Sequence, residues 1–93
     1  MKRPDLSDLD AFLAVAEQHS FARAATQLGI ARSTLSETVR QLEERLGVRL
    51  VQRTTRSFAL TEAGKTLQRH CQRILRAVDA AESAVARSSE RAP

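Results

Sequence analysis

Residues 20–46 read SFARAATQLGIARSTLSETVRQLEERL and contain two short helical patterns, each followed by a glycine. Ser20 is a favourable N-cap for the first pattern, and Gly29 follows it where a left-handed residue commonly ends a helix. The second pattern ends at Gly47, and its apolar residues recur every three or four positions, as on one face of a helix. They are Leu35, Val39, Leu42 and Leu46. This segment predicts a helix-turn-helix over about residues 21–46.

The turn between the two helices constrains the residues on both sides of it. Ala25 is small because the second helix is predicted to cross close to it, and Gly29 accepts dihedral angles that a Cβ disfavours. The side chains predicted to hold the two helices together are Leu28, Ile30, Leu35 and Val39. At about 100° per residue, short hydrogen-bonding groups and a cation lie away from the apolar stripe and would face a DNA major groove. These residues are Ser33, Ser36, Glu37 and Arg40.

One more helix is predicted before this segment, over about residues 7–19. Ser7 is a possible N-cap, because a carboxylate follows it three residues later at Asp10. Leu9 and Phe12 then begin an apolar repeat at helical spacing. This helix would complete a three-helix core.

The hydropathy pattern changes after the helix-turn-helix. Two short apolar runs, at residues 50–51 and 58–60, flank a polar and basic segment. Such a pattern favours a small two-stranded ribbon, or wing, over about residues 49–60. Residues 1–60 therefore predict a mainly α domain, a winged helix-turn-helix of three helices and a two-stranded wing.

A long linker helix is predicted over residues 61–87, with Thr61 as its N-cap and Glu62 in the first turn, where the helix dipole favours a negative charge. Its apolar residues alternate at four and three positions, which is a heptad seam that a lone helix cannot bury. We therefore expect a homodimer through this helix. The predicted dimer-interface residues are Leu67, Cys71, Ile74, Val78, Ala81 and Val85. Residues 88–93 lack apolar periodicity and are predicted to be a hinge or the end of the chain.

Length and composition restrict the class of protein. A chain of 93 residues suits one small domain, and an apolar content of 42% without tryptophan or tyrosine favours an aliphatic helical core. The net charge of +4 suits a polyanionic partner without proving one. A single cysteine indicates neither an internal disulfide nor a structural zinc site. The absence of a signal sequence and of a long apolar stretch predicts a cytoplasmic protein with no membrane partner.

Other classes of function find little support in the sequence. An enzyme would need a nucleophile–histidine–carboxylate set, a glycine-rich phosphate loop or a metal cluster, and these are not recognisable, so no catalytic residue is predicted. A pure dimerisation module would show no salt-dependent binding to duplex DNA, which separates it from a DNA-binding protein. Cys71 is more simply a small apolar residue than a redox sensor. His19 and His70 are predicted as a helix-end and a surface histidine rather than metal ligands.

Four segments, in this order, carry a resemblance to a known family: SFARAA at 20–25, LEERLG at 42–47, LVQR at 50–53 and LTEAG at 60–64. Together they resemble the LysR-type transcription regulators of bacteria, and the resemblance extends over residues 6–85. An ordered set of motifs is far more specific than a generic helix-turn-helix. We therefore expect a sequence-specific DNA-binding protein of this family.

The resemblance implies a dimer that binds an interrupted dyad operator in double-stranded DNA. The recognition helix would enter the major groove, the wing would reach the minor groove, and the long helix would pair antiparallel with its copy. The positions that it assigns to base reading or to the groove are Arg32, Ser33, Ser36 and Glu37, and the wing arginines are Arg53 and Arg56. It also implies a small-molecule inducer bound by a C-terminal ligand-sensing domain outside these residues, no cofactor in this chain, and a dimer or a higher oligomer for the full-length protein.

Three residues depart from the family pattern. Ala31 stands where a serine or threonine usually caps the recognition helix, so that helix would either start at a different residue or rely on phosphate contacts to satisfy its first amides. Val51 replaces a phenylalanine and leaves a smaller wing core. Glu37 occupies a position that is often basic or an amide, where a carboxylate could accept from a cytosine amino group or repel a phosphate. Glu37 is therefore a weaker candidate for a contact than Ser36.

Overall fold

The computed structural model of the chain describes residues 5–53 and 57–91. The two strands of the wing pair in an antiparallel sheet. The predicted fold class, a winged helix-turn-helix followed by a long helix, is confirmed. In chain order the elements are α1 (Leu6–Gln18), α2 (Phe21–Leu28), α3 (Arg32–Leu46), β1 (Val51–Arg53), β2 (Phe58–Leu60) and α4 (Glu62–Arg91).

Helix α1 begins at Leu6, and its N-cap is Asp5 rather than Ser7. The Asp5 carboxylate accepts a hydrogen bond from the Asp8 amide at 2.9 Å, and the Asp8 carboxylate accepts one from the Asp5 amide at 3.4 Å. These two reciprocal bonds form a capping box, which satisfies two amides that the helix itself cannot. The predicted cap was wrong because the earlier aspartate makes this pair with Asp8.

The helix-turn-helix follows the sequence prediction closely. Ser20 Oγ accepts a hydrogen bond from the Arg23 amide at 3.1 Å and caps α2. Gly29 and Gly47 end α2 and α3 with φ of 70°, in the left-handed region where a residue without a Cβ is favoured. The packing of Ile30 was predicted wrongly, because this residue in the turn is 39% exposed and lies outside the core.

The core lies where α1, the helix-turn-helix, the base of the wing and the first turns of α4 meet. The small alanines of α2 are buried against α1 and α3, which agrees with the close crossing predicted from the sequence. Val51 is completely buried, so the smaller residue at this position still contributes to the core of the wing. The largest fully buried side chains are Phe12, Val15, Leu35, Val39, Leu42, Leu50, Val51 and Cys71.

The wing is joined to α4 through a close backbone contact. The Thr61 amide donates to the Leu50 carbonyl at 3.0 Å, and Thr61 Oγ1 accepts from the Gly64 amide at 3.0 Å, which confirms Thr61 as the N-cap. A Cβ added to Gly64 would lie 2.1 Å from the Leu50 carbonyl oxygen. Gly64 is therefore required for α4 to pass this close to the wing.

Helix α4 is 30 residues long and continues to Arg91, beyond the predicted end at residue 87. Residues 88–91 read SSER, and glutamate and arginine are good helix formers, so the helix can continue here without an apolar stripe. At 1.5 Å per residue the helix is roughly 45 Å long, and the molecule measures 58 × 29 × 20 Å. The second half of α4 therefore projects from the body of the domain.

Cys71 was predicted in the dimer interface, and the structure places it elsewhere. Its side chain is completely buried in the core of its own chain. A heptad pattern cannot separate a residue that packs in the core of its own chain from one that packs against a second copy, because both lie on one helix face. Cys71 is therefore a core residue, and it is not available to a partner.

Candidate nucleic-acid interface

The N-terminal half of α3 presents an exposed polar surface. Arg32, Ser33 and Thr34 are exposed, as expected for residues that could reach a ligand. Ala31 is the N-cap and makes no side-chain cap hydrogen bond. The first amides of α3 therefore have no capping side chain, which leaves the positive end of the helix dipole open to an anion.

Ser36 lies at the wing-side edge of this surface rather than directly opposite the apolar stripe. It is half-buried, because the Arg53 side chain reaches it from β1. The Arg53 guanidinium donates to Ser36 Oγ at 2.9 Å and to the Ser36 carbonyl at 3.4 Å. It also lies over the Phe21 ring, 4.8 Å from the ring centre. Arg53 thus connects the wing to both helices of the helix-turn-helix.

Glu43 stabilises the same contact between the wing and α3. Its carboxylate is almost completely buried and accepts from the Leu50 amide at 2.8 Å and the Val51 amide at 3.2 Å. Arg49 and Arg53 lie 3.7 and 3.9 Å from the two carboxylate oxygens. The sequence analysis missed this role. The spacing offered a signal, because Glu43 follows Val39 by four residues and so lies beside the apolar stripe.

Arg40 is predicted to face DNA, and in the structure it is engaged by neighbours on its own helix. Arg40 Nε donates to Glu37 at 3.0 Å, and the guanidinium also contacts Glu44. The hydrogen bond from Arg40 lowers the pKa of Glu37, and the hydrogen bond to Glu37 raises the pKa of Arg40. Glu37 is thus ionised at neutral pH, and the central part of α3 carries a net negative charge from this triplet.

A groove of about 340 Å³ separates the helix-turn-helix from the wing. One wall is the start of α2 and of α3, and the other is the wing. Phe58 packs edge-on against His19 at 5.7 Å and Phe21 at 6.0 Å, which holds β2 against the end of α1 and the start of α2. The residues that line the groove include Ser20, Phe21, Arg32, Ser36, Gln52 and Arg53.

The remaining predicted residues lie at two places. Arg56, the second wing arginine, lies outside the described residues. The seam residues apart from Cys71 lie along α4: Leu67 and Val78 are half-buried, and the others, Ile74, Ala81 and Val85, are exposed. Across the described residues, we find no cluster of three metal-ligating side chains and no helix suited to crossing a membrane.

The arrangement defines a class of protein: a winged helix-turn-helix whose exposed α3 surface and wing border one groove. Residues 6–65 match the family described as bacterial regulatory helix-turn-helix proteins, lysR family. The chain belongs to this family. This membership agrees with a regulatory protein rather than an enzyme.

Curated relatives carry the same assignment. An HTH-type transcriptional regulator of Xanthomonas campestris pv. campestris (strain 8004) is 53% identical over 81 residues, which cover 87% of this chain and 24% of that protein. The regulator PgrR of Escherichia coli (strain K12) is 58% identical over 67 residues, which cover 72% of this chain and 22% of that protein. The chain thus spans about a quarter of the length of these relatives.

Solved structures include two similar domains in complex with DNA. The BenM DNA-binding domain with catB site 1 DNA superimposes with a TM-score of 0.92 at 33% identity, over 97% of this chain and 100% of that chain. The CbnR DNA-binding domain with DNA gives a TM-score of 0.82 at 31% identity, over 95% of this chain and 100% of that chain. The similarity therefore includes the long helix as well as the winged domain.

Proposed function

We propose that this chain is the DNA-binding segment of a LysR-type transcription regulator and binds double-stranded DNA in a sequence-specific manner. The observation that carries the proposal is the exposed start of α3 beside the wing, in a fold shared with domains solved on DNA. Such a regulator would act in the cytoplasm, where the chromosome is.

In this proposal α3 enters the major groove. Arg32 and Ser33 are exposed in its first turn, where a recognition helix contacts base edges. Ser36 and Glu37 follow one turn later, and the ionised Glu37 can accept only from an amino group such as that of cytosine. Arg40 is already paired with Glu37 and Glu44, so it would have to break a hydrogen bond to one of these carboxylates before it could contact a DNA phosphate.

The wing would reach the adjacent minor groove with Arg56. Arg53 lies closer to the helix-turn-helix, and only 33% of its side chain is exposed. Its contribution to binding would therefore come from the base of the wing, through Ser36 or a neighbouring phosphate, rather than from the tip.

A homodimer through α4 would provide the two half-sites of an interrupted dyad. Ile74 is 39% exposed and Val85 is 70% exposed, and isolated apolar residues at this spacing on a projecting helix favour pairing with a second helix. Antiparallel pairing would place the two α3 helices at opposite ends of the dimer. The seam residues proposed for this interface are Leu67, Ile74, Val78, Ala81 and Val85.

The two curated relatives described above are more than three times as long as this chain, so we also propose that a small-molecule inducer binds a further domain of such a regulator. These 93 residues would need no cofactor of their own. Assembly beyond the dimer would also depend on that further domain.

Salt-dependent binding tests the DNA-binding function directly. Affinity for an operator obtained from a random duplex library and for a scrambled duplex is measured at several salt concentrations. We expect tighter operator binding and a linear fall of log affinity with log salt. Arg56→Ala should reduce the slope by up to about one unit, whereas Arg32→Ala should lower the affinity for the operator more than the affinity for the scrambled duplex.

Arg76→Ala is the matched control, because Arg76 is an exposed arginine on α4, away from α3 and the wing. It should leave the slope unchanged. Absence of salt-dependent duplex binding by the wild-type chain would contradict the proposal and favour a pure dimerisation module.

A further inference from the structure

The contact with Arg53 determines whether the Ser36 hydroxyl donates or accepts a hydrogen bond. A guanidinium has donors only, so the bond from Arg53 to Ser36 Oγ at 2.9 Å uses the serine oxygen as an acceptor. The hydroxyl proton is then left for another partner, and among residues 5–53 and 57–91 we find no acceptor for it. At the edge of the α3 surface, the Ser36 hydroxyl proton is therefore not used by any residue that the structure describes.

Thr38, on the same helix, shows the contrasting arrangement. Its hydroxyl donates to the Thr34 carbonyl at 3.0 Å, so the helix backbone uses its proton. Hydroxyls on helices commonly make this bond to the preceding turn. Within the described part of the chain, no such bond to the preceding turn is found for Ser36, which instead accepts from Arg53. A hydroxyl that accepts from a cation becomes a stronger donor, and its oxygen becomes a poorer second acceptor.

Base edges in the major groove differ in the groups that they present. Guanine offers N7 and O6, adenine N7 and thymine O4 as acceptors, whereas cytosine N4 and adenine N6 are amino donors. An amino hydrogen carries partial positive charge and would approach Ser36 next to the Arg53 guanidinium. That approach is electrostatically unfavourable, while an acceptor atom is attracted to the same place.

We propose that Arg53 acts as a positioning residue that fixes Ser36 as a hydrogen-bond donor, so that Ser36 selects a base acceptor rather than a base amino group. The proposal rests on the proposed function and refines it, because it names the chemical group that this position of α3 recognises. Arg53 acts here from inside the protein, through the serine, without itself touching the base.

The test uses the purified chain and operator duplexes with single altered atoms. The base pair read by Ser36 is located by comparing library selections with wild type and Ser36→Ala. At that pair, 7-deazapurines remove N7, an analogue without O4 replaces thymine, and 2-aminopurine in place of guanine removes O6. Purine in place of adenine removes the N6 amino group, and a cytosine analogue without N4 removes the other amino donor. One hydrogen bond is worth roughly three- to tenfold in affinity, so wild type should lose this factor with one acceptor-deleted duplex and nothing with the amino-deleted one.

The ratio of affinities for normal and altered duplex is the decisive quantity, because a general loss of folding or of phosphate contacts cancels in it. Ser36→Ala should bring the ratio to about one. Arg53→Gln should reduce it, since its amide oxygen can take the serine proton, and Arg53→Lys should restore much of it, since the cation is kept. Thr38→Ser is the matched control and should keep the wild-type ratio.

Three results would overturn the inference while leaving DNA binding intact. The first is a wild-type ratio of one at every acceptor position. The second is a loss only with the amino-deleted duplex, which would make Ser36 an acceptor. The third is an Arg53→Gln ratio equal to that of wild type. Failure of the wild-type chain to bind any duplex would instead remove the proposed function and the inference together.

Discussion

Residue 64 must be a glycine, because α4 crosses the wing there without room for a side chain. A Cβ there would overlap the Leu50 carbonyl oxygen at 2.1 Å, and that carbonyl is held by the Thr61 amide. The contact is between two backbones, so a side-chain rotation cannot relieve it. Gly64 therefore fixes the angle at which α4 leaves the domain.

Gly64→Ala should lower the free energy of unfolding by about 1–3 kcal/mol, because overpacking at this backbone contact outweighs the better helix propensity of alanine. Urea denaturation measures the change. Lys65→Ala, at an exposed neighbour on the same helix, should change stability by less than about 0.5 kcal/mol. Equal stabilities of the two variants would show that α4 shifts away without cost.

The buried carboxylate of Glu43 gives a second prediction. In Glu43→Gln one oxygen can still accept from Leu50 and Val51, but the new amide group then faces the guanidinium of Arg53. We expect a loss of about 1–3 kcal/mol in the free energy of unfolding. Glu44→Gln is the matched control, since the Glu44 side chain is 59% exposed and its ion pair is worth little.

Cys71 should respond to alkaline pH in a defined direction. Burial raises the pKa of its thiol from 9.0 to about 11, because the ionised form is desolvated. The folded state therefore favours the protonated thiol, so its contribution to stability is complete below pH about 9 and is lost as the pH rises through about 11. The difference in stability between wild type and Cys71→Ala should shrink over this interval.

The same burial predicts a thiol that is protected in the native chain. A thiol reagent at pH 8 should modify Cys71 slowly in the folded protein and rapidly after denaturation. Fast modification of the folded chain would contradict the buried position. It would also reopen the redox-sensor alternative.

Helix α4 has two structural roles. Its first turns are part of the domain core, and its later turns project from the domain. The apolar residues of the seam divide between these roles: Cys71 is buried in the core, whereas Ile74 and Val85 are exposed. A charge introduced in the first turns of α4 should therefore affect folding, whereas a charge introduced further along the seam should affect pairing with a second helix.

Ile74→Asp should separate the proposed dimer while the winged domain stays folded, because a charge in a helix–helix interface is costly and the domain core is untouched. Sedimentation gives the mass and circular dichroism the helix content. Cys71→Asp is the contrasting variant and should unfold the domain, because it buries a carboxylate without a partner. A monomeric wild-type chain at micromolar concentration would remove the dimer proposal.

The whole molecule combines a compact winged domain with a long projecting helix, and in the proposed dimer this helix would determine how the two winged domains are spaced. A single winged domain makes all of its proposed contacts within one half-site. The proposed dimer would add a second half-site, so its gain in affinity would depend on the α4 pair rather than on α3.

Ile74→Asp should consequently bind a single half-site duplex as tightly as wild type and lose affinity for the full dyad. The two half-sites then bind independently, because the linkage that raises the effective concentration of the second site is gone. Fluorescence anisotropy with both duplexes measures the two affinities. An unchanged preference for the full dyad would show that the two half-sites do not require α4.

Much of the fold could be predicted from the sequence because its signals are local. The caps at Ser20, Gly29, Gly47 and Thr61 each act within one helical turn, and the apolar stripe of α3 specifies its buried face. The first cap was missed because serine and aspartate offered competing caps two residues apart. The end of α4 was missed because the helix continues over residues 88–91 without an apolar repeat.

The site was only partly predictable, since residue type and spacing give the face of a helix but not its neighbours. The sequence by itself determined the helix-turn-helix, the wing and the polar character of the α3 surface. Only the tertiary structure decided that Arg53 covers Ser36, that Glu43 holds the start of the wing, and that Cys71 belongs to the core. These contacts join residues that are far apart in the chain, and their geometry depends on how the elements pack, which periodicity along one element cannot encode.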